Sequence, residues 1–434
     1  MIIRGGTVVS TRGVVQADIE VTDGLIAAVG PRLGRSGADD IDALGLHVFP
    51  GGIDSHVHFN EPGRTEWETI GNGSAALAAG GYTTFIDMPL NSLPVTVAGP
   101  AFDVKLAAMR RSSVVDFGLW AGLVPGNMGH LAELVERGAM GFKAFMCPSG
   151  IEEFPACDPR ALLEGMKHIA RLDSILLVHA ESPDVLKAYA RPGLGAGAFL
   201  ASRPPLAEFQ AIDTALGLAA EAGCRLHVVH VSTTRGVQLV RAAQARGVDA
   251  SAETCPQYLL YTDSDLERLG GKGKCTPPFR SARDRDGLWK TLEAEELPMV
   301  VSDHSPGTLA LKQGTDFFKI WGGISGCQST RQLLLAQDRL ELTTVAAVTA
   351  TNVARRFGLA GKGDIAPGLD ADLWLVDLSH EDVVRGEDLL YRNPYSVHEG
   401  QRIRGKTIRT LLRGRTAYPG GEPAGRFIRP GARS

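Results

Sequence analysis

The sequence predicts an α/β fold, a (β/α)8 TIM-like barrel with a small β-sandwich domain formed from both chain ends, and three observations lead to it. From residue 49 onward short β-branched or apolar runs alternate with helical patterns, about eight such runs can be counted, and the two ends lack that alternation. Parallel strands need a crossover between them, and eight such units close a barrel. The strand runs are 52–56, 83–88, 114–120, 141–145, 175–179, 226–231, 249–254 and 298–303. Between them, 206–222 carries Ala211, Ala215, Leu216 and Ala219 at helical spacing, and 236–246 is a second helix of the same kind. The ends read as strands and turns at 2–9, 19–21, 25–29, 372–376 and 408–412. The expected division is therefore 1–48 plus 366–434 for the small β-domain and 49–365 for the barrel. The Gly-, Pro- and Arg-rich tail after Tyr418 is expected to be mobile or draped over a neighbour.

Composition narrows the function classes. A chain of 434 residues leaves room for a barrel of roughly 250 residues and a companion. With 45 Lys+Arg against 49 Asp+Glu, a net charge of −4, no field favours polyanions, and no basic run marks a nucleic-acid surface. The longest charge-free stretch, 69–86, is broken by Gly71, Gly73, Gly80 and Gly81, unlike a membrane span. The opening Met1-Ile2-Ile3-Arg4 is strand-like rather than a secretory leader. The six cysteines form no Cys-x-x-Cys pair, so a cytoplasmic protein with free thiols is expected.

Chemistry gathers at the strand ends. His56 and His58 alternate onto one side at the end of the first barrel strand, as two ligands of one ion require. Taken singly, such a pair is weak evidence and His179 would read as a core imidazole. His179 and His230 nevertheless end two further strands, where barrels place catalytic groups. His227, three residues before His230, faces the other way and reads as structural. Asp303 stands at the mouth of the last strand, able to bind a metal and accept a proton, or simply to cap a turn. Lys143 sits between Phe142 and Phe145 in an apolar strand, an expensive place for an ammonium. Its neutral amine can take up carbon dioxide, giving an anionic two-oxygen carbamate that can bridge two divalent ions.

As a set these residues resemble the cyclic amidohydrolases of the amidohydrolase superfamily, and among their branches the allantoinases. The resemblance spans nearly the whole chain. It includes Gly5-Gly6-Thr7-Val8, Pro50-Gly51-Gly52-Ile53-Asp54-Ser55-His56-Val57-His58, Gly141-Phe142-Lys143, Val178-His179-Ala180-Glu181, His230-Val231-Ser232, Ser302-Asp303-His304-Ser305-Pro306 and Lys362-Gly363-Asp364-Ile365-Ala366-Pro367-Gly368. It implies a binuclear zinc site with His56 and His58 on one ion, His179 and His230 on the other, carbamylated Lys143 between them, and Asp303 as ligand and general base. It also implies a homotetramer.

Substrate choice rests on other residues. Dihydroorotases resemble Asn60-Glu61-Pro62-Gly63-Arg64 but carry arginine at the position of Asn60, where a guanidinium grips a carboxylate; asparagine suits a neutral ligand. Trp67, Met88-Pro89-Leu90-Asn91 and Trp321-Gly322-Gly323-Ile324-Ser325-Gly326 resemble allantoinases more than hydantoinases. Ala144 and Gly307 depart from that pattern. Allantoin is uncharged and carries a ureido arm, so hydrogen bonds should recognise it. Asn91, Thr276, Ser305 and the Gly323-Ile324 backbone are the candidate contacts, against turn roles for Asn91 and Thr276. The expected reaction is hydrolytic opening of the hydantoin ring to allantoate. The rivals are a hydantoinase, dihydropyrimidinase or dihydroorotase-like hydrolase, a non-catalytic scaffold, and, more weakly, a nucleotide site at Gly361-Lys362-Gly363-Asp364.

Overall fold

The computed structural model describes residues 1–34 and 37–431. Its centre is a parallel barrel whose strands are, in order, Gly52–Val57, Tyr82–Asp87, a kinked third strand in two pieces (Asp116–Leu119 and Ala121–Gly122), Phe142–Phe145, Ile175–His179, Arg225–Val228, Ala250–Thr254 and Met299–Val300. Trp120 interrupts the third strand, and its indole N–H donates to the Ser55 carbonyl at 2.9 Å. The barrel closes where His58 N donates to His304 O at 2.8 Å and Val57 bridges His304. Buried Asp54 strengthens the seam, accepting the backbone N–H groups of His56 (3.2 Å) and Ser302 (3.3 Å) on one oxygen.

The helices start and stop where their chemistry dictates. Pro205–Ala222 has proline in its first turn and ends at Gly223, whose φ of 62° suits a residue without Cβ. Thr234–Ala245 is capped by Thr233, whose hydroxyl accepts the Gly236 N–H at 3.1 Å. No described helix is long and apolar enough to cross a membrane.

Strands from both chain ends build one further sheet. Leu373–Val383 runs antiparallel to His47–Pro50, with Leu373 opposite Pro50, and His47–Pro50 runs parallel to Ile2–Ser10. The expected sandwich is made by this single hydrogen-bonded sheet curling on itself, so that Leu25 near one edge bridges Asp370. Ile3, Val8, Ile19, Ile26, Val48, Leu373 and Leu411 fill its core. Buried Arg331 joins sheet and barrel, stacking its guanidinium 4.3 Å over Trp374 and donating to Pro50 O (3.2 Å) and Gly81 O (2.9 Å).

The tail corrects the expectation made for it. Phe427 bridges Phe117 of the third barrel strand, with Phe117 N bonded to Arg426 O (3.0 Å) and Ile428 N to Phe117 O (2.8 Å). The tail fills the side of that strand that the fourth leaves unpaired, and Phe427 packs on Phe102 and Phe117. Glycine, proline and arginine content hid an aromatic anchor.

Lys362, read above as a weak nucleotide-site candidate, has its ammonium committed to three carboxylates: Asp116 (2.8 Å), Asp370 (2.9 Å) and Asp372 (2.6 Å). Asp116 also accepts the Arg426 N–H at 2.7 Å and Asp372 the Arg413 N–H at 2.8 Å. One buried cation thus ties sheet, barrel and tail. Lys362→Met should cost about 3–5 kcal/mol, because it leaves buried carboxylates short of their counter-charge; the midpoint of urea unfolding measures it.

Candidate metal centre and active site

The six sequence-predicted ligands come from five barrel strands, His56 and His58 both from the first, and all six line one cavity of about 480 Å³. His56 Nε2 lies 3.2 Å and His58 Nε2 3.5 Å from Asp303 Oδ1. The His56 ring centroid is 5.4 Å from that of His230, which is 4.7 Å from that of His179. His179 Nδ1 faces His230 Nε2 at 3.1 Å. Lys143, on the fourth strand, is 1 % exposed and its Nζ has no hydrogen-bond partner among the described residues.

Two buried carboxylates fix which nitrogen of each imidazole points inward. Glu253 Oε1 holds His56 Nδ1 at 2.6 Å, and Glu181 Oε2 holds His179 Nε2 at 2.8 Å. A ring nitrogen facing a carboxylate carries the proton, so the opposite nitrogen presents a lone pair. His56 Nε2 then turns a lone pair toward Asp303, a contact that is repulsive until a cation lies between them, and His179 Nδ1 turns one toward His230 Nε2, which can meet it with an N–H or share an ion with it. His56, His230 and Asp303 offer ligand atoms all within 4.8 Å of one another, which fits a divalent ion.

Burial pushes the same way. Desolvation lowers the His58 pKa to about 4 and those of His179 and His230 below the usual imidazole value, keeping the rings neutral and able to ligate. Burial also draws Lys143 down to about 8, opposed by Asp303, which makes its free amine accessible. Asp303 is pulled two ways: burial raises its pKa, and the closeness of His56, His58 and His230 lowers it by more when a proton or a cation lies among them. At Glu181 the desolvation penalty is outweighed by Arg203 and His179, leaving a pKa of about 2.

Three of the sequence-predicted site residues carry left-handed backbone: Asn91 (φ 73°), His230 (φ 39°) and Asp303 (φ 47°). Non-glycine residues adopt this conformation at a cost that surrounding structure must cover, and such residues cluster at functional sites. This is why the sixth strand stops at Val228, short of the predicted 231: His230 turns its ring inward instead of continuing the ladder.

Of the predicted substrate contacts, Asn91, Thr276, Ser305 and Gly323 line the cavity, whereas Ile324 lies behind it, fully buried, with its carbonyl accepting the Ser305 N–H at 2.8 Å. Asn91 Nδ2 is 3.3 Å from His58 Nδ1, and Ser305 Oγ donates to Asp303 Oδ1 at 3.3 Å, so both also orient ligand groups. Gly323 has φ 147°, and a Cβ there would lie 2.3 Å from the Ser305 carbonyl. Asn60, the residue contrasted with arginine, donates to the Pro306 carbonyl at 3.3 Å.

Sequence reasoning missed Glu253, Glu181 as a supporting group, Arg203 and Lys274. Glu253 was findable: a carboxylate in a central barrel strand, Ala250–Thr254, which is buried throughout, needs partners for the reason applied to Lys143. Its other oxygen lies 3.0 Å from His227 Nε2, and His227 Nδ1 meets Ser251 Oγ at 2.7 Å. His227 therefore supports the site from behind, without facing the cavity.

The comparisons agree with this geometry. The amidohydrolase family model matches residues 47–416. A curated allantoinase of Rubrobacter xylanophilus is 52% identical over 99% of this chain and 97% of its own length, and one of Solibacter usitatus is 48% identical with the same coverage. Among solved structures, the L-hydantoinase (dihydropyrimidinase) of Arthrobacter aurescens superposes with a TM-score of 0.95 at 34% identity over 99% of each chain. The dihydropyrimidinase of Brevibacillus agri gives 0.91 at 29% identity, covering 100% of this chain and 99% of its own. A barrel whose strand ends converge on neutral imidazoles and one carboxylate, matched over nearly its full length, belongs to the amidohydrolase family.

Proposed function

We propose that the chain hydrolyses the ring amide of allantoin, opening the hydantoin ring to allantoate in purine catabolism. The observation that carries this reading is the inward-facing set of His56, His58, His179, His230 and Asp303 beside the unpartnered amine of Lys143. The near-full-length allantoinase relatives support the substrate.

His56 and His58 would hold one divalent ion and His179 and His230 the other, with zinc as the metal and a carbamate on Lys143 between them. Bound, such ions lower the pKa of a water and polarise a carbonyl oxygen. The chain's own residues do the rest. Asp303, held ionised, takes the proton of the attacking water as its oxygen bonds to the ring carbonyl carbon. It then delivers that proton to the ring nitrogen as the C–N bond breaks, leaving a carboxylate and a nitrogen that becomes the terminal NH2 of a second urea arm. Ser305 keeps the Asp303 carboxylate oriented through its hydroxyl. Asn91, Thr276 and the Gly323 backbone offer hydrogen bonds to a neutral ring. A homotetramer in the cytoplasm is the state proposed for the working enzyme; light scattering on purified protein tests the assembly.

A second reading, hydantoinase or dihydropyrimidinase, is favoured by the solved structures it superposes on. Turnover of allantoin, hydantoin, dihydrouracil and dihydroorotate, with elemental analysis of the same preparation, separates them; allantoin should lead by at least an order of magnitude in kcat/KM.

Three variants test the roles. Asp303→Asn should abolish turnover while much of the metal stays bound, and a near-normal kcat excludes Asp303 as the base. Lys143→Ala should lose metal and activity together, with partial recovery on adding short carboxylic acids; full activity without them rules out the bridge. Glu253→Gln should weaken metal binding by about 10- to 100-fold, since a hydrogen-bonded carboxylate raises ligand basicity, measured by competition with a chromophoric chelator.

A further inference from the structure

Besides Lys143, the cavity holds a second buried amine with donors to spare. Lys274 is 6 % exposed and lines the cavity beside Phe199 and Ile320. Its ammonium has three N–H donors and one hydrogen-bond partner, the Ile320 carbonyl; the Phe199 ring centroid lies 5.2 Å away. Two donors have no hydrogen-bond partner among the described residues. Arg203 and Lys312 are spent by comparison. Arg203 is paired with Glu181, and Lys312, which lies outside the cavity lining, gives its ammonium to the Trp321 (3.0 Å) and Gly323 carbonyls. Lys312 is a pin for the segment whose Trp321 and Gly323 line the cavity; Lys274 is a pin with unused capacity.

Position selects what those donors meet. Lys274 lies against the segment that carries Ile320 and Gly323, its ammonium on the Ile320 carbonyl and its own carbonyl accepting Gly323 N at 2.8 Å, whereas Asp303 lies beside His56 and His58. Both ends line the one cavity, so a substrate whose ring amide sits at Asp303 shares that space with Lys274. Resting on the allantoin reading, we infer that Lys274 is a specificity-determining residue, donating a charged hydrogen bond to the carbonyl oxygen of the acyclic urea arm that distinguishes allantoin from unsubstituted hydantoin.

The experiment compares kcat/KM for allantoin and hydantoin in the parent enzyme, Lys274→Met and Lys274→Gln, all metal-loaded, with thermal melting as the folding control. Loss of a hydrogen bond from a charged donor should lower the allantoin-to-hydantoin ratio by about 10- to 100-fold in Lys274→Met, chiefly through KM for allantoin. Lys274→Gln should shift the ratio in the same direction while keeping an N–H for the Ile320 carbonyl. An unchanged ratio in both variants, whether activity on both substrates falls equally or on neither, overturns the assignment and leaves Lys274 a loop pin only. A parent that opens hydantoin but not allantoin instead overturns the reading beneath it, and the two failures are told apart before any variant is made.

Discussion

The site depends on keeping imidazoles neutral and correctly oriented in an interior that resists charge. Glu253 and Glu181 do this by taking one N–H each, from His56 and His179, which turns the bare nitrogens toward Asp303 and His230. Neither carboxylate could stay buried alone. Glu253 is shared between His56 and His227, and Glu181 between His179 and Arg203. The cost of placing acceptors face to face is thus distributed through the barrel wall, and a divalent cation relieves it.

Backbone geometry serves the same end. Strands hold His56, Lys143 and His179 in register, with Lys143 opposite Leu177 and Phe145 opposite His179. The other candidate ligands lie just past their strands: His58 follows Val57 directly, and His230 and Asp303 sit in left-handed turns. Trp321, at the cavity wall, is separately anchored: Trp67 packs 4.7 Å from it, and Arg64 stacks on Trp67.

Much of this was legible in the sequence because strand alternation and strand ends are written in it. The four histidines, Lys143 and Asp303 all converge, as periodicity and the barrel rule required. What could not be read depends on contacts between distant segments. Glu253, on the seventh strand, reaches His56 on the first past the eighth between them, and its significance shows only once the barrel is closed. Backbone direction is similarly hidden: Gly323 opens onto the cavity, while adjacent Ile324 turns its carbonyl to Ser305. Lys274, between Gly273 and Cys275, carries no periodic signal. The tail misled because its composition resembles a linker, although Phe427 supplies an aromatic side chain for the open flank of the third strand.

The curled sheet couples the first residues to the last, since His47–Pro50 lies between Ile2–Ser10 and Leu373–Val383. During vectorial synthesis the amino-terminal strands leave the ribosome with one edge bare, and its mate arrives only after the whole barrel has been translated. Pairing at such sequence separation is slow and exposes a template for wrong partners. The nascent chain therefore has a built-in interval of vulnerability, and that interval, rather than the finished enzyme's stability, sets how much the protein gains from holdase chaperones.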